Sequence, residues 1–273
     1  MDPGFQLLLF STDPSFVHDA VAAGVDAIIV DLEKTDKEKR QVFAGTQVSS
    51  DTIEDLKLVR KSTEALVICR LDNSGLIIAK GVEEAIEAGA DEILIPMVRT
   101  VEQVVGIIDQ VRGRSRVGIL VETVAALELT EELGRLPLSR VCIGLNDLAI
   151  ERRTPNIFWA LIDGTIDRVR KAFAVPFGFG GLTLPDRGDP IPCRLLIGEL
   201  ARLKCGFSFL RRSFYRDIRG RQLCAEIPRI RRALEEAQHR LPEDAARDRR
   251  ELQEAVLSWR GGLTASMEMS DEG

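Results

Sequence analysis

The most constraining feature of this sequence is a unit that occurs eight times between residues 5 and 210. In each unit, a short apolar run rich in β-branched residues precedes a segment with apolar residues at helical spacing. The runs end on average about 29 residues apart. They are Phe5–Phe10, Ala27–Val30, Leu66–Cys69, Glu92–Ile95, Val117–Val121, Arg140–Ile143, Val175–Gly178 and Phe207–Leu210. Because most of them are continuously apolar, we expect parallel strands covered on both faces.

Eight strand–helix units in about 250 residues predict an α/β fold, a single-domain (β/α)8 TIM barrel. A doubly wound parallel sheet is the rival, but it more often carries a glycine-rich turn after its first strand. The turn between Phe10 and Pro14 contains no glycine. We therefore predict a barrel with its C-terminal helix over residues 1–241, followed by a charged, poorly ordered tail over residues 242–273.

Composition excludes several classes of protein. The chain has 273 residues and a formal net charge of −6, which argues against general nucleic-acid binding. No apolar run approaches the ~18–20 residues that span a bilayer, and the start lacks the basic segment of a signal peptide. The five cysteines are scattered without a CxxC pair, as in a reducing compartment. We expect a cytoplasmic protein that binds neither nucleic acid nor membrane.

Two carboxylates follow neighbouring strands of the predicted barrel. Glu122 follows the fifth run and Asp147 the sixth, at the barrel end where chemistry occurs in this fold. Without cysteine or histidine nearby, they suit a hard cation such as Mg2+, which completes its shell with water and substrate oxygens. The structural alternatives are an ion pair for Glu122 and a helix N-cap for Asp147. Together with Arg70, the pattern favours the metal.

Cationic residues follow other strands at the same end. Arg70 emerges from the apolar third run and is predicted to donate to an oxyanion, with a buried ion pair as the alternative. Glycines after the seventh run, among them Gly180, together with Arg211 and Arg212, predict an anion site. A tight turn is the alternative for the glycines. We expect one of the two arginines to face solvent.

Taken together, these segments resemble the HpcH/HpaI aldolase/citrate lyase beta-subunit family, within the phosphoenolpyruvate/pyruvate-binding barrels. The matching pieces cover residues 5 to about 215 in the family's order and spacing: Asp26–Glu33, Arg70, Ala88–Val98, Val121–Thr123 and Ile143–Leu148. The resemblance implies Mg2+ or Mn2+ held by Glu122 and Asp147, a pyruvate-like 2-oxo acid on that metal, and Arg70 on the enolate oxygen. It implies that a carbon–carbon bond next to the keto group is made or broken.

The resemblance also implies a set of substrate-contacting residues. They are Arg70, Pro96, Met97, Gly144, Asn146, Gly180 and Arg211. The chain departs from the family at the base: the aldolase branch carries a histidine after the Glu of the strand-two motif, and the citrate lyase branch an acidic residue, where this chain has Lys34. Glu33, Lys34 and a metal-bound water are alternative bases, and the sequence leaves them open.

Three functions are compatible with these features. The leading hypothesis is a carbon–carbon lyase of the metal-dependent, class II aldolase type acting on a 2-oxo acid. The second is an acyl-CoA lyase of the citrate and malyl type, with Arg211 and Arg212 facing a CoA phosphate. The third is a barrel without a base that serves as a binding or assembly subunit.

Residues Ile218–Leu241 form a long amphipathic segment. Its apolar positions at helical spacing are Leu223, Ile227, Ile230 and Leu234. One interpretation is the eighth helix covering its own barrel. The resemblance implies a C-terminal helix exchanged between neighbouring subunits of a trimer or hexamer. The charged stretch after Pro242 is predicted to add no core and to be dispensable.

Overall fold

The computed structural model describes residues 4–33, 50–73 and 77–259, so Lys34 and most of the long loop after the second strand lie outside the described residues. Eight parallel strands close into a barrel in chain order, which confirms the predicted (β/α)8 fold. The strands are β1 Gln6–Phe10, β2 Ala27–Asp31, β3 Leu66–Arg70, β4 Glu92–Ile95, β5 Arg116–Val121, β6 Val141–Ile143, β7 Phe177–Leu182 and β8 Phe207–Leu210.

Helices cover the outside of the barrel and occupy its loops. They are α1 Pro14–Ala22, α2 Ile53–Ser62, α3 Ile77–Glu87, α4 Val101–Val111, α5 Val124–Glu128, α6 Thr130–Leu133, α7 Leu145–Arg152, α8 Trp159–Ile162, α9 Thr165–Ala172, α10 Cys193–Arg202, α11 Arg212–Asp217, α12 Leu223–Gln238 and α13 Pro242–Ser258. Local sequence fixes several helix starts. Thr52 caps α2 and Thr100 caps α4, each in a capping box that satisfies backbone N–H groups at the helix end.

Side chains fill the middle and the amino end of the barrel interior. Its central layer is apolar and consists of Leu8, Ala27, Ile29, Ile68, Leu94, Leu120, Cys142, Phe207 and Phe209. At the amino end of the strands, Arg140 and Glu92 form a buried bidentate ion pair, with Nε–Oε1 at 2.6 Å and Nη2–Oε2 at 2.9 Å. Arg140 also lies over the Phe207 ring, 5.1 Å from its centroid. Polar chemistry is therefore left to the opposite end.

The glycines near the seventh strand lie inside it. Because β7 runs through Leu182, the expectation of a glycine loop following this strand is wrong. A Cβ on Gly178 would collide with the Phe207 carbonyl, and one on Gly180 would sit 3.3 Å from the Phe209 ring. The glycines therefore make room for the phenylalanines of β8, which explains their pattern without an anion.

The C-terminal segment is folded further than the sequence indicates. Where a charged, poorly ordered tail was expected from residue 242, α13 runs to Ser258 and packs against α8 and α10. Leu252 and Val256 are fully buried. Asn156 donates to the carbonyls of Val256 and Trp259 at 2.9 and 3.0 Å. The packed part of the chain thus extends beyond Leu241, while residues 260–273 lie outside the described residues.

Helix α12 covers its own barrel. It packs against α1 and α10, with Ile227, Ile230 and Leu234 buried, as the amphipathic pattern predicts. Arg231 donates to the Gly24 carbonyl from this helix at 2.9 Å. Exchange of a C-terminal helix between subunits stays a prediction. In the described part of the chain, no helix is both long and apolar enough to cross a membrane.

Candidate active site

Strand alternation brings four charged side chains to the carboxyl end of the barrel. Residues two positions apart on a strand face the same side, and the interior apolar layer supplies the reference positions Ile29, Ile68, Leu120 and Phe209. Two positions later stand Asp31, Arg70, Glu122 and Arg211. We call these four residues and Asp147, at the start of α7, the mouth. Strand alternation alone therefore directs these side chains into the barrel, independently of the ion pairs that they form.

Arg70 is held by two carboxylates of the preceding strand end. Its Nε donates to Asp31 Oδ1 at 2.8 Å and its Nη2 to Asp31 Oδ2 at 2.6 Å. Its Nη2 also lies 3.3 Å from Glu33 Oε2. Asp31 and Arg70 are direct partners in the β2–β3 register, so backbone pairing sets up the bidentate geometry. A planar guanidinium clamped in this way has one orientation.

Arg211 completes the cationic side of the mouth. Its Nη2 donates to Asp31 Oδ2 at 2.8 Å, so one carboxylate binds two arginines. Both guanidinium groups lie over the ring of Phe10, at 4.3 Å for Arg211 and 5.4 Å for Arg70. Burial and the nearby Arg70 charge lower the pKa of Arg211 to about 10. Like charges are thus held together here by Asp31 and an aromatic face.

Glu122 is buried on the other side of the mouth, with only 1% of its surface exposed. Its Oε1 accepts the Met97 N–H at 2.8 Å, and Met97 adopts a left-handed backbone with φ of 50°. A Cβ at Gly144 would collide with Glu122 Oε2, so glycine is required beside this carboxylate. Strained backbone and a steric requirement for glycine are typical of built sites.

Neighbouring carboxylates influence the ionisation of Glu122. Burial raises the pKa of Glu122 to about 8, and the charges of Asp147 and Glu33 add to the rise. Arg70 and the Met97 N–H oppose it. Like-charged groups that disfavour each other's ionisation are the usual environment of a bound cation or a shared proton.

The helix that carries Asp147 is attached to the loop that carries Glu122. Glu151, one turn after Asp147 on α7, accepts the Val124 N–H at 2.8 Å and pairs with Arg99. Val124 begins α5, two residues after Glu122. Asp147 is 7% exposed. Three loops, after β4, β5 and β6, therefore meet at Glu151.

The comparisons with known proteins agree with this architecture. The family model described as HpcH/HpaI aldolase/citrate lyase matches residues 5–154, more than half of the chain. The chain belongs to this family. Among solved structures, the chain is similar to one titled "Crystal Structure of Citrate Synthase SbnG", with a TM-score of 0.60 and 16% identity over 80% of this chain and 90% of that one. At that identity the likeness concerns the fold. A search of curated proteins gave no match.

Membership of the HpcH/HpaI family confirms the resemblance inferred from the strand ends. It assigns the chain to the aldolases and lyases that act on carbon–carbon bonds, in general terms. The family generally depends on a divalent metal and binds small 2-oxo acids. The metal and the substrate of this family member depend on its own site residues.

The residues of the mouth fit a hard divalent cation. Glu122 and Asp147 are oxygen donors, Gly144 leaves space beside Glu122 Oε2, and their mutual repulsion would be relieved by a positive charge. Within the described ranges, no group of three or more His, Cys, Asp or Glu side chains is arranged to hold a metal. Two carboxylates are nevertheless enough for Mg2+, which keeps several water ligands.

The other residues expected at the substrate have the following contacts in the structure. Asn73 Nδ2 donates to the Pro96 carbonyl at 2.7 Å, which fixes the loop before Met97. Asn146 Nδ2 is buried without a hydrogen-bond partner in the described residues. Glu33 is buried next to Arg70, and Lys34 lies outside the described residues. Gly180 faces Phe209 in the strand register.

Sequence reasoning missed two residues of this site. Asp31 was included only within the matching segment Asp26–Glu33, yet it orients both Arg70 and Arg211. Phe10 carries both guanidinium groups on its ring. The available signal was position: both residues end a strand on the inward-facing side, as Arg70 does.

Proposed function

We propose that this HpcH/HpaI family member is a metal-dependent, class II aldolase or lyase that makes or breaks the carbon–carbon bond next to the keto group of a pyruvate-like 2-oxo acid. The observation that carries the proposal is the buried, oriented Arg70 opposite the carboxylates Glu122 and Asp147 at one end of the barrel. In the proposed site, Glu122 and Asp147 would hold Mg2+ or Mn2+. Such an ion, when bound, supplies Lewis acidity toward the carboxylate and keto oxygens of the substrate.

Arg70 is the proposed donor to the oxygen on which charge develops. Its Nε and Nη2 are occupied by Asp31, and Nη1 has no partner among the residues described. In the cleavage direction, the C3–C4 bond of a 4-hydroxy-2-oxo acid breaks and its electron pair moves toward the keto oxygen. A preorganised N–H group at that oxygen stabilises the transition state more than the substrate.

We place proton transfer on Glu33. Asp31 is committed to two arginines, whereas Glu33 is buried 3.3 Å from Arg70 Nη2. In cleavage, its carboxylate takes the proton of the 4-hydroxyl group as the aldehyde forms, and the same proton is available to C3 of the product. Lys34 is the alternative, and the variants Glu33→Gln and Lys34→Ala distinguish the two.

The test is metal-dependent release of pyruvate from a panel of 4-hydroxy-2-oxo acids and hydroxyacyl-CoAs, together with deuterium exchange into the methyl group of pyruvate. We expect both activities with Mg2+ or Mn2+ and their loss with a chelator. Glu122→Gln and Asp147→Asn should abolish both while the fold is kept. Full activity in either variant contradicts the site assignment, and a wild-type protein that binds pyruvate without exchange or cleavage would be a binding subunit.

We also propose a cytoplasmic location and assembly into a homo-oligomer, a trimer or hexamer. All five cysteines are free and four of them are buried, which supports a reducing compartment. The assembly follows from the family resemblance, and light scattering on the full-length chain tests it. A monomer at micromolar concentration would contradict it.

A further inference from the structure

A cavity of about 1260 Å³ opens beside the mouth. It lies between the β1–α1 region and the segment that follows β8, and its wall includes Asp31 and Arg211. Because Asp31 also holds Arg70, the cavity adjoins the proposed reaction centre at this carboxylate. Aromatic rings of Phe10 and Tyr215 form part of its surface. A substrate bound at Arg70 can therefore extend into this space.

One wall of the cavity is strongly basic. The arginines that line it all come from one short segment: Arg211, Arg212, Arg216, Arg219 and Arg221. Three of them are neutralised, Arg211 by Asp31, Arg216 by Asp217, and Arg221 by Asp186 and Glu226. In the described part of the chain, Arg212 and Arg219 have neither an ion pair nor a hydrogen bond, and both are exposed. The segment therefore has two cationic side chains that no carboxylate neutralises in the described part of the chain.

Arg212 lies at the border between this cavity and the mouth. It follows Arg211 directly and begins α11. Partial burial and the Arg70 charge lower the pKa of Arg212, whereas the Asp147 charge raises it. Its exposure in the cavity wall leaves the guanidinium accessible to a ligand.

Carboxylates also line the cavity, but in the described part of the chain none of them forms an ion pair with Arg212 or Arg219. Asp13 is engaged by the Ser15 and Phe16 N–H groups as the N-cap of α1, and Asp51 accepts the Asp31 N–H at 3.0 Å. Asp19 is exposed on α1. An anionic group is therefore stabilised by the arginines. The carboxylates favour hydrogen-bond donors on the rest of the ligand.

We propose that the cavity binds an anionic group, a carboxylate or a phosphate, on the second substrate at the end distant from the reacting carbon, with Arg212 and Arg219 as its ligands. The inference rests on the proposed function, because it requires a 2-oxo acid at Arg70. It goes beyond that function by naming the class of the aldehyde or acyl partner. A space of this size also exceeds what a small neutral aldehyde fills.

The test compares condensation of pyruvate with three aldehydes of matched length, one neutral, one ending in a carboxylate and one ending in a phosphate. In the wild type, kcat/KM is expected to be at least about tenfold higher for an anionic aldehyde, as for one charge-assisted hydrogen bond. Arg212→Gln and Arg219→Gln should each lose about tenfold with that aldehyde and at most about twofold with the neutral one. Arg135→Gln, at an exposed arginine before β6, is the matched control and should change neither.

Comparison of the carboxylate and phosphate aldehydes shows which anionic group the cavity prefers. A hydroxyacyl-CoA is tested as a further phosphate-containing substrate. Equal kcat/KM for neutral and anionic partners, or equal losses with both in the variants, would overturn the proposal. Deuterium exchange into pyruvate should be retained in all three variants. If the wild type lacks that exchange, the proposed function fails. The cavity is then tested alone by calorimetry with pyrophosphate, where equal binding by wild type and Arg212→Gln would overturn it.

Discussion

The ionisation of Glu122 is linked to the stability of the fold. Burial and two neighbouring carboxylates raise its pKa from an ordinary value of 4.5 to about 8. In the metal-free protein, the folded state therefore retains a proton that the unfolded state has lost between about pH 4.5 and pH 8. The stabilisation is fully present below the unfolded pKa and is lost as the pH rises through the folded one.

The first prediction concerns this pH dependence. For the metal-free wild type, Tm should fall as the pH rises from 5 to 8, and Glu122→Gln should flatten the slope and raise Tm at pH 8, because a neutral amide replaces a carboxylate that is costly to ionise. Mg2+ should raise Tm in the wild type and not in the variant. Thermal unfolding with a chelator and with Mg2+ measures both effects. Glu131→Gln, at an exposed carboxylate on α6, should behave as the wild type; a Glu122→Gln slope equal to that of the wild type contradicts the argument.

The second prediction concerns Arg70. Arg70→Lys keeps the charge but loses the bidentate contact with Asp31 and the fixed direction of the remaining donor. We expect kcat to fall at least about a hundredfold, comparable to the loss of one oxyanion donor, with a small change in KM for the 2-oxo acid. Steady-state kinetics measures how the effect divides between kcat and KM. An unchanged kcat with a raised KM would instead make Arg70 a ground-state binder.

Glu151 links two helices next to the carboxylates of the mouth. It joins α7, which carries Asp147, to the start of α5, which follows Glu122. The third prediction is that Glu151→Ala weakens Mn2+ binding about 10- to 100-fold, the usual effect of losing a group that orients a metal ligand. Calorimetry or electron paramagnetic resonance on Mn2+ measures the affinity without requiring activity.

Two variants separate positioning by Glu151 from a general effect on the fold. Glu151→Gln keeps the acceptor for the Val124 N–H and loses only the partly exposed pair with Arg99, so its affinity should remain within about threefold of the wild type. Glu128→Ala alters an exposed carboxylate on the nearby α5 and should have no effect. Equal Mn2+ affinity in Glu151→Ala and the wild type would show that α7 is held without this residue.

The strands were predictable because parallel barrel strands are buried on both faces and stay apolar along their length. Glu92–Ile95 and Phe207–Leu210 match the predicted bounds, and Leu66–Arg70 differs by one residue. The contact between Asp31 and Arg211 was not predictable in this way. These residues are 180 positions apart and meet only when β8 closes against β1.

The contribution of α13 to the packed structure was underestimated from the sequence. Its apolar face is narrow, with Leu252 and Val256 one turn apart, and two of its charged residues, Arg249 and Glu251, pair with side chains of α10. Arg249 donates to Glu199 of α10 at 2.7 Å. Composition indicated a solvated segment because it does not record which charges have partners.

The fourth prediction is that α13 contributes to stability. Leu252→Ala should lower the free energy of unfolding by about 2–5 kcal/mol, the range for emptying a fully buried leucine site. Deletion of the chain after Leu241 should cost more and reduce soluble yield, since it also exposes α10. Urea unfolding measures the first effect. Glu254→Ala, at an exposed position of the same helix, is the control, and a stable, active product after the deletion would return α13 to the status of a dispensable tail.

The ion pair between Arg140 and Glu92 has a kinetic consequence. With the interior filled above it, traffic of ligands along the barrel axis is confined to the carboxyl end. A 2-oxo acid in the proposed site would contact Glu122 and Arg70, which are 1% and 5% exposed, and an anionic partner in the proposed cavity would lie nearer to solvent. If both proposals hold, such an arrangement would favour a sequential order, in which the 2-oxo acid binds first and leaves last. In cleavage assays pyruvate would accordingly compete with the aldol substrate, whereas the aldehyde product would give noncompetitive inhibition.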